Sequence, residues 1–119
     1  MSNGEISGYT DQKISVRKIG LDGSQIWYNY HQSDQFEISS AIIADGEGHY
    51  YVAGSTIYGG QKDGLFLQLN DNGDFISNHT FGGNLNDWFS DIERSDDGNF
   101  ILCGTTEADD YDSWLMKLD

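Results

Sequence analysis

The chain has 119 residues, with 20 acidic side chains against 6 basic ones and a net charge of -14. That balance excludes a sequence-independent grip on nucleic acid or on an anionic membrane surface, because either needs basic patches. No apolar run approaches the roughly 20 residues of a membrane-spanning helix, so membrane insertion is not expected.

The acid is mostly Asp (15 Asp to 5 Glu), and beside 15 Gly and 8 Asn it reads as turn chemistry rather than an acidic helix. Aromatic residues at 13% and regular apolar clusters argue against disorder. Residues 1–10 carry no basic, apolar leader pattern. From there on, apolar runs rich in Ile, Val, Tyr, Phe and Trp alternate with Gly, Asp and Asn clusters, with no helical period. They predict ten strands, near 4–9, 14–20, 25–31, 37–44, 49–55, 64–69, 75–81, 87–94, 99–105 and 113–118. Asp22-Gly23, Asp45-Gly46, Asn72-Gly73 and Asp97-Gly98 supply the positive φ that tight hairpins need. Phe100-Ile101-Leu102 and Trp114-Leu115-Met116 are apolar at consecutive positions, which implies sheets covered on both faces. Proline is absent, so nothing interrupts the strands.

The chain repeats itself. A shift of 50 lays 47–56 over 97–106, 21–26 over 71–76, and 38–43 over 88–93. Between 14–56 and 64–106 seven pairs are identical: Gly23/Gly73, Ile26/Ile76, Ser40/Ser90, Ile42/Ile92, Gly48/Gly98, Gly54/Gly104 and Thr56/Thr106. A partial third copy opens the chain, where 6–10 match 52–56, and 112–118 match 63–69 at a shift of 49. Four-stranded units of this length that stack face to face describe a β-propeller.

Three segments carry a family resemblance: Asp-x-Trp-Leu-x-Lys-Leu-Asp (112–119), Gly-Gly-Asn-Leu-Asn-Asp-Trp-Phe-Ser (82–90) and Asp-Gly-Asn-Phe-Ile-Leu-Cys-Gly-Thr-Thr (97–106). They resemble the β-propeller repeats of bacterial and archaeal secreted and surface proteins. Trp27 matches the tryptophan of that pattern, whereas the second copy has Ser77 there. The resemblance implies an all-β propeller of four-stranded antiparallel blades and an extracellular or cell-surface setting. It also implies that 37–44 and 87–94 are innermost strands. Residues 1–119 then form a single repeat module: a partial blade (4–33), a full blade (36–83), and a blade lacking its outer strand (86–119). Propellers close at about four to eight blades. Two and a half blades leave apolar faces and strand edges open, so either copies of the same chain are the expected partner, closing a ring as a homo-oligomer, or the chain is a fragment of a larger propeller protein or enzyme. Assembly is the favoured expectation. Residues 25–31 of a neighbour are one candidate for the missing outer strand.

The loops expected at one end span 31–36, 55–63, 81–87 and 105–112. There Tyr58, Asp63, Asp87 and Tyr111 are candidate contacts for a carbohydrate or protein ligand, and Asp109, Asp110 and Asp112 are candidate Ca²⁺ ligands. Against a unique site, Asp63 matches Asp112 and Glu37 matches Asp87 in the repeat, so recurrence favours a role in starting strands. Gly23, Gly73, Gly48, Gly98, Gly54, Gly104, Trp27, Trp88 and Trp114 read as structural repeat positions. His31, His49 and His79 lack metal-ligand spacing, and Cys103 reads as a small buried hydrophobe. No nucleophile elbow, acid–base pair or dinucleotide loop is present, so the expected role is a non-enzymatic scaffold or binding module with no required cofactor.

Overall fold

A computed structural model describes residues 13–33, 35–58, 60–82, 85–107 and 112–118. The protein is all-β: nine strands and no helix among the described residues, in three antiparallel sheets. Sheet I pairs β1 (Ser15–Ile19) with β2 (Gln25–Tyr30). Sheet II has the order β3 (Phe36–Ala44), β4 (Tyr50–Tyr58), β5 (Gln61–Leu69), β6 (Phe75–Phe81). Sheet III runs β7 (Asp87–Arg94), β8 (Phe100–Thr106), β9 (Asp112–Leu118). The strand expected at 4–9 lies outside the described residues.

Four hairpins, β1–β2, β3–β4, β5–β6 and β7–β8, are closed by turns of one length. The N–H of Gly20, Asp45, Asn70 and Ser95 donates to the carbonyl four residues on, at 2.8, 3.1, 2.9 and 2.8 Å. The fourth residue of each turn is glycine with positive φ: 88° at Gly23, 92° at Gly48, 87° at Gly73 and 88° at Gly98. A Cβ is disfavoured in that left-handed conformation, which is why glycine recurs there. The acidic and amide residues cap these turns. Ser24 N donates to Asp22 Oδ1 at 3.0 Å, and Glu47 N to Asp45 Oδ1 at 2.7 Å. Asn72 N donates to Asn70 Oδ1 at 2.9 Å, and Asn99 N to Asp97 Oδ1 at 3.2 Å. Such Asx-turns explain the Asp- and Asn-rich composition.

The 50-residue relation is visible in the pairing. Register slips between Ser39 and Ala41 in β3 and between Phe89 and Asp91 in β7, so Ser40 and Ser90 bulge at matching positions. Opposite these bulges lie Gly54 and Gly104. A Cβ on Gly54 would overlap the Ile38 carbonyl oxygen, and one on Gly104 the Trp88 carbonyl oxygen. The third and fourth strands match as well, because β1–β2 and β5–β6 slip register at Lys18/Ile19 and Gln68/Leu69. Sheet I is therefore the second half of a repeat unit. Its β2 pairs with β1 of the same chain.

The three sheets are layered, with sheet II in the middle. Between I and II lie Ile14, Val52, Leu65, Leu67 and Leu69, flanked by Val16, Trp27, Tyr50 and Phe75. Between II and III lie Ala53, Phe66, Phe89, Ile92, Phe100 and Leu102. Alternation along β5 sends Leu65 and Leu67 to one side and Phe66 to the other, which is why Gly64–Leu67 are all buried. Each large side chain so enclosed contributes on the order of 1.5–3 kcal/mol. Sheets II and III approach closest along β7, which lies against β3, β4 and β5.

One expectation needs correcting. The loop placed at 55–63 is mostly strand, because β4 and β5 stay in register as far as Tyr58↔Gln61. Gly60, at φ 82°, makes the tight turn there.

Candidate functional site

The hairpin turns occupy one end of the layers, and the connections between and within sheets at the opposite end gather the buried acids. Asp87 opens β7 and is 3% exposed, accepting a hydrogen bond from Thr106 Oγ1. Asp63 of β5 accepts one from Gln61 Nε2 at 3.1 Å. The two carboxylates flank Gly82: a Cβ there would collide with Asp63 Oδ1 and stand 2.8 Å from Asp87 Oδ2. Beside them Asn86 links three segments. It accepts from Lys62 N at 2.8 Å, donates to Glu107 Oε1 at 3.2 Å, and its carbonyl accepts from Glu107 N at 2.9 Å. The Lys62 ammonium lies 4.9 Å from the centre of the Trp88 ring.

The matching position in the other seam holds Glu37, which is 2% exposed. It accepts from Ile14 N at 3.3 Å and lies 2.7 Å from His31 Nδ1. The His31 backbone N–H donates to Ile14 O at 2.8 Å, and its ring tilts against Phe75 at 5.2 Å. In both seams an acid at the start of one sheet's first strand sits beside the start of the third strand of the preceding sheet. Desolvating a carboxylate is costly unless hydrogen bonds compensate it, and these donors do. Glu37 thus staples sheet II to sheet I, whereas Asp87 is held by Thr106 of its own sheet III and stands beside Gly82 and beside Asp63 of sheet II.

Of the residues singled out in the sequence, Asp63 and Asp87 come together. Tyr111, Asp109 and Asp110 lie outside the described residues, as do the side chains of Tyr58 and Asp112. Among the described residues no group of three or more His, Cys, Asp or Glu converges to hold a metal ion. Trp27 packs its ring over Gly73, where any Cβ would come within 2.6 Å of it, and donates from Nε1 to Asp71 O at 3.0 Å. Trp114 stacks on Phe89 at 5.1 Å and donates from Nε1 to the Trp88 carbonyl at 3.0 Å. Cys103 is half-buried in β8.

At the turn end three carboxyls, Asp22, Asp45 and Asp97, are held below their ordinary range. Hydrogen bonds from Ser24 keep Asp22 below the usual carboxylate range. Burial pushes the Asp45 carboxyl upward, but hydrogen bonds from Glu47 N and His49 N and the His49 ring outweigh it and bring it down. Asp97 is lowered furthest, by the Ser95 hydroxyl, then Lys117 and the Asn99 N–H.

Sequence reasoning missed the His31–Glu37 pair. Its signal was the departure from the repeat: histidine stands where the next copy has Phe81, six residues before an acid that does recur. Comparison with known proteins adds no relative, since no family model matches the chain and no curated protein matches it significantly.

Proposed function

We propose that the chain is a non-enzymatic repeat module of the β-propeller type, each sheet being one blade, that serves as a structural or partner-binding scaffold. Sheets I, II and III are then a half blade, a full blade, and a blade without its outer strand. The stacking of repeat-related sheets, with one bulge and one turn repeated in each, carries this assignment. The uncovered faces support completion of a ring by further copies. Leu115 is 72% exposed on sheet III, whereas its repeat mate Phe66 is 8% exposed beneath sheet III. On the far side of sheet I, Ile26, Tyr28 and Tyr30 are about half exposed. Apolar surface of this kind favours association.

Absolute mass by light scattering behind a sizing column tests the proposal. A discrete oligomer with one sharp melt is the expected outcome, and its formation should strengthen with added salt, which screens the net charge of -14. A monomer at every protein and salt concentration would rule out ring completion by copies of this chain.

A further inference from the structure

A groove of about 420 Å³ opens between β2 and β6, where the outer strands of sheets I and II diverge. That volume falls in the range of small-molecule sites, roughly 300–1,000 Å³. Its lining includes Tyr30, His31, Gln32, Asp74, Phe75 and Asn78. Structural positions in this chain recur at a shift of 50, but these do not. Tyr30 and His31 correspond to Thr80 and Phe81, and Asn78 to Tyr28.

His31 is the organising group. Its side chain is only 11% exposed, and Nδ1 lies 2.7 Å from the buried Glu37 carboxylate. With Nδ1 directed at Glu37, Nε2 is the ring nitrogen turned toward Asn78 and the groove, and in the Nδ1–H tautomer it accepts a hydrogen bond. The Asn78 amide nitrogen lies 3.4 Å from Nε2, longer than a well-formed hydrogen bond. Around this ring nitrogen stand three side-chain amides (Asn29, Gln32 and Asn78), the Asp74 carboxylate and the ring of Phe75. Amides and a carboxylate match vicinal hydroxyls, and aromatic rings match the C–H face of a sugar. Asp74 and the charge of -14 disfavour an anion. We infer that this groove binds a neutral polyhydroxyl ligand, a mono- or disaccharide, with His31 Nε2 accepting from one hydroxyl.

The experiment titrates the isotope-labelled chain with maltose, cellobiose and N,N′-diacetylchitobiose, following the His31 ring and the Asn78 side-chain amide by NMR. Saturable shifts at both groups with at least one sugar are expected. Gln32→Ala and Asn78→Ala change exposed side chains of the groove, so each should weaken binding about tenfold or more while melting as the parent does. His31→Phe, which installs the residue of the other copy, should abolish binding. The inference is overturned if none of the three sugars saturates, or if Gln32→Ala and Asn78→Ala bind as well as the parent. An equal response to D-glucuronate would overturn the neutral class. The outcome does not depend on ring closure, because the groove lies wholly within one chain.

Discussion

The two seams between sheets answer the same geometric problem with different chemistry. Between sheets I and II the filling is largely aliphatic, with Ile14, Val52, Leu65, Leu67 and Leu69. A His31–Glu37 pair closes one end of that seam and Trp27 covers the other. Between sheets II and III the filling is aromatic. Tyr51 lies 4.2 Å from Phe100, Phe81 meets Phe89 edge-on at 5.9 Å, and Phe89 stacks on Trp114. The matching acid there, Asp87, bonds Thr106 of its own sheet, and Phe81 replaces the histidine. What the seams share is backbone: the bulge at Ser40 and Ser90, the glycine facing it, and the four turns. Stacking geometry is thus set by positions that tolerate no side chain, and the contents of each seam are free to diverge.

The largest expected effect strikes what is shared. Gly104→Val and Gly54→Val each force a branched side chain into a carbonyl oxygen, and either should cost about 4 kcal/mol or more, or prevent folding. Thermal melts check this, and a variant melting within a few degrees of the parent would mean the bulge relaxes easily. Next come substitutions confined to one seam. Phe89→Ala empties a fully buried ring site and should cost about 3–5 kcal/mol in chemical denaturation. Hydrogen exchange should then open β7–β9 before β1–β2; uniform opening would show that the layers unfold as one unit. Smaller still is Glu37→Gln, expected at about 1–3 kcal/mol, since it keeps an acceptor for Ile14 N but weakens the partner of His31. Asp87→Asn should cost a similar amount, and a cost at only one of them would break the equivalence of the two buried acids.

The smallest effect lies at the turns. The folded-state value of Asp97 is lowered, so its stabilisation is fully present above about pH 4 and fades as pH falls through that lowered value. Asp97→Asn should therefore melt below the parent at pH 6, and the gap should narrow steadily toward pH 2. A constant gap would mean that hydrogen-bond shape rather than charge matters there.

Much of the frame was legible in the sequence. Nine expected strands match the observed ones within about three residues, because period-two alternation and Gly-containing turns are local signals. The positive-φ glycines and the tight glycines of β4 and β8 were legible through recurrence. The buried acids were only half legible. Glu37 and Asp87 stood out as a repeated pair, but nothing along the chain says that Glu37 meets Ile14 and His31, since that contact depends on how sheet I lies on sheet II. The lengthening of β4 and β5 through Tyr58 and Gln61 escaped for a related reason. Polar Gln61, Lys62 and Asp63 read as loop, and cross-strand pairing overrides that local preference. The groove was invisible because β2 and β6 lie nearly fifty residues apart.

The turns opening at Gly20, Asp45, Asn70 and Ser95 fall at intervals of 25 residues (45 − 20, 70 − 45 and 95 − 70), so the chain is a series of hairpins cut to one length. Interchangeable parts carry a hazard, because a hairpin from one place, or from another molecule, fits the backbone of every other place. Divergent seam contents counter it. A wrongly docked hairpin would set His31 against Asp87 and Thr106, or Phe81 against Glu37, leaving a buried acid without its donor. The low likeness between the copies therefore serves as an addressing code, which sends each hairpin to its own berth while the shared scaffold keeps all berths the same shape.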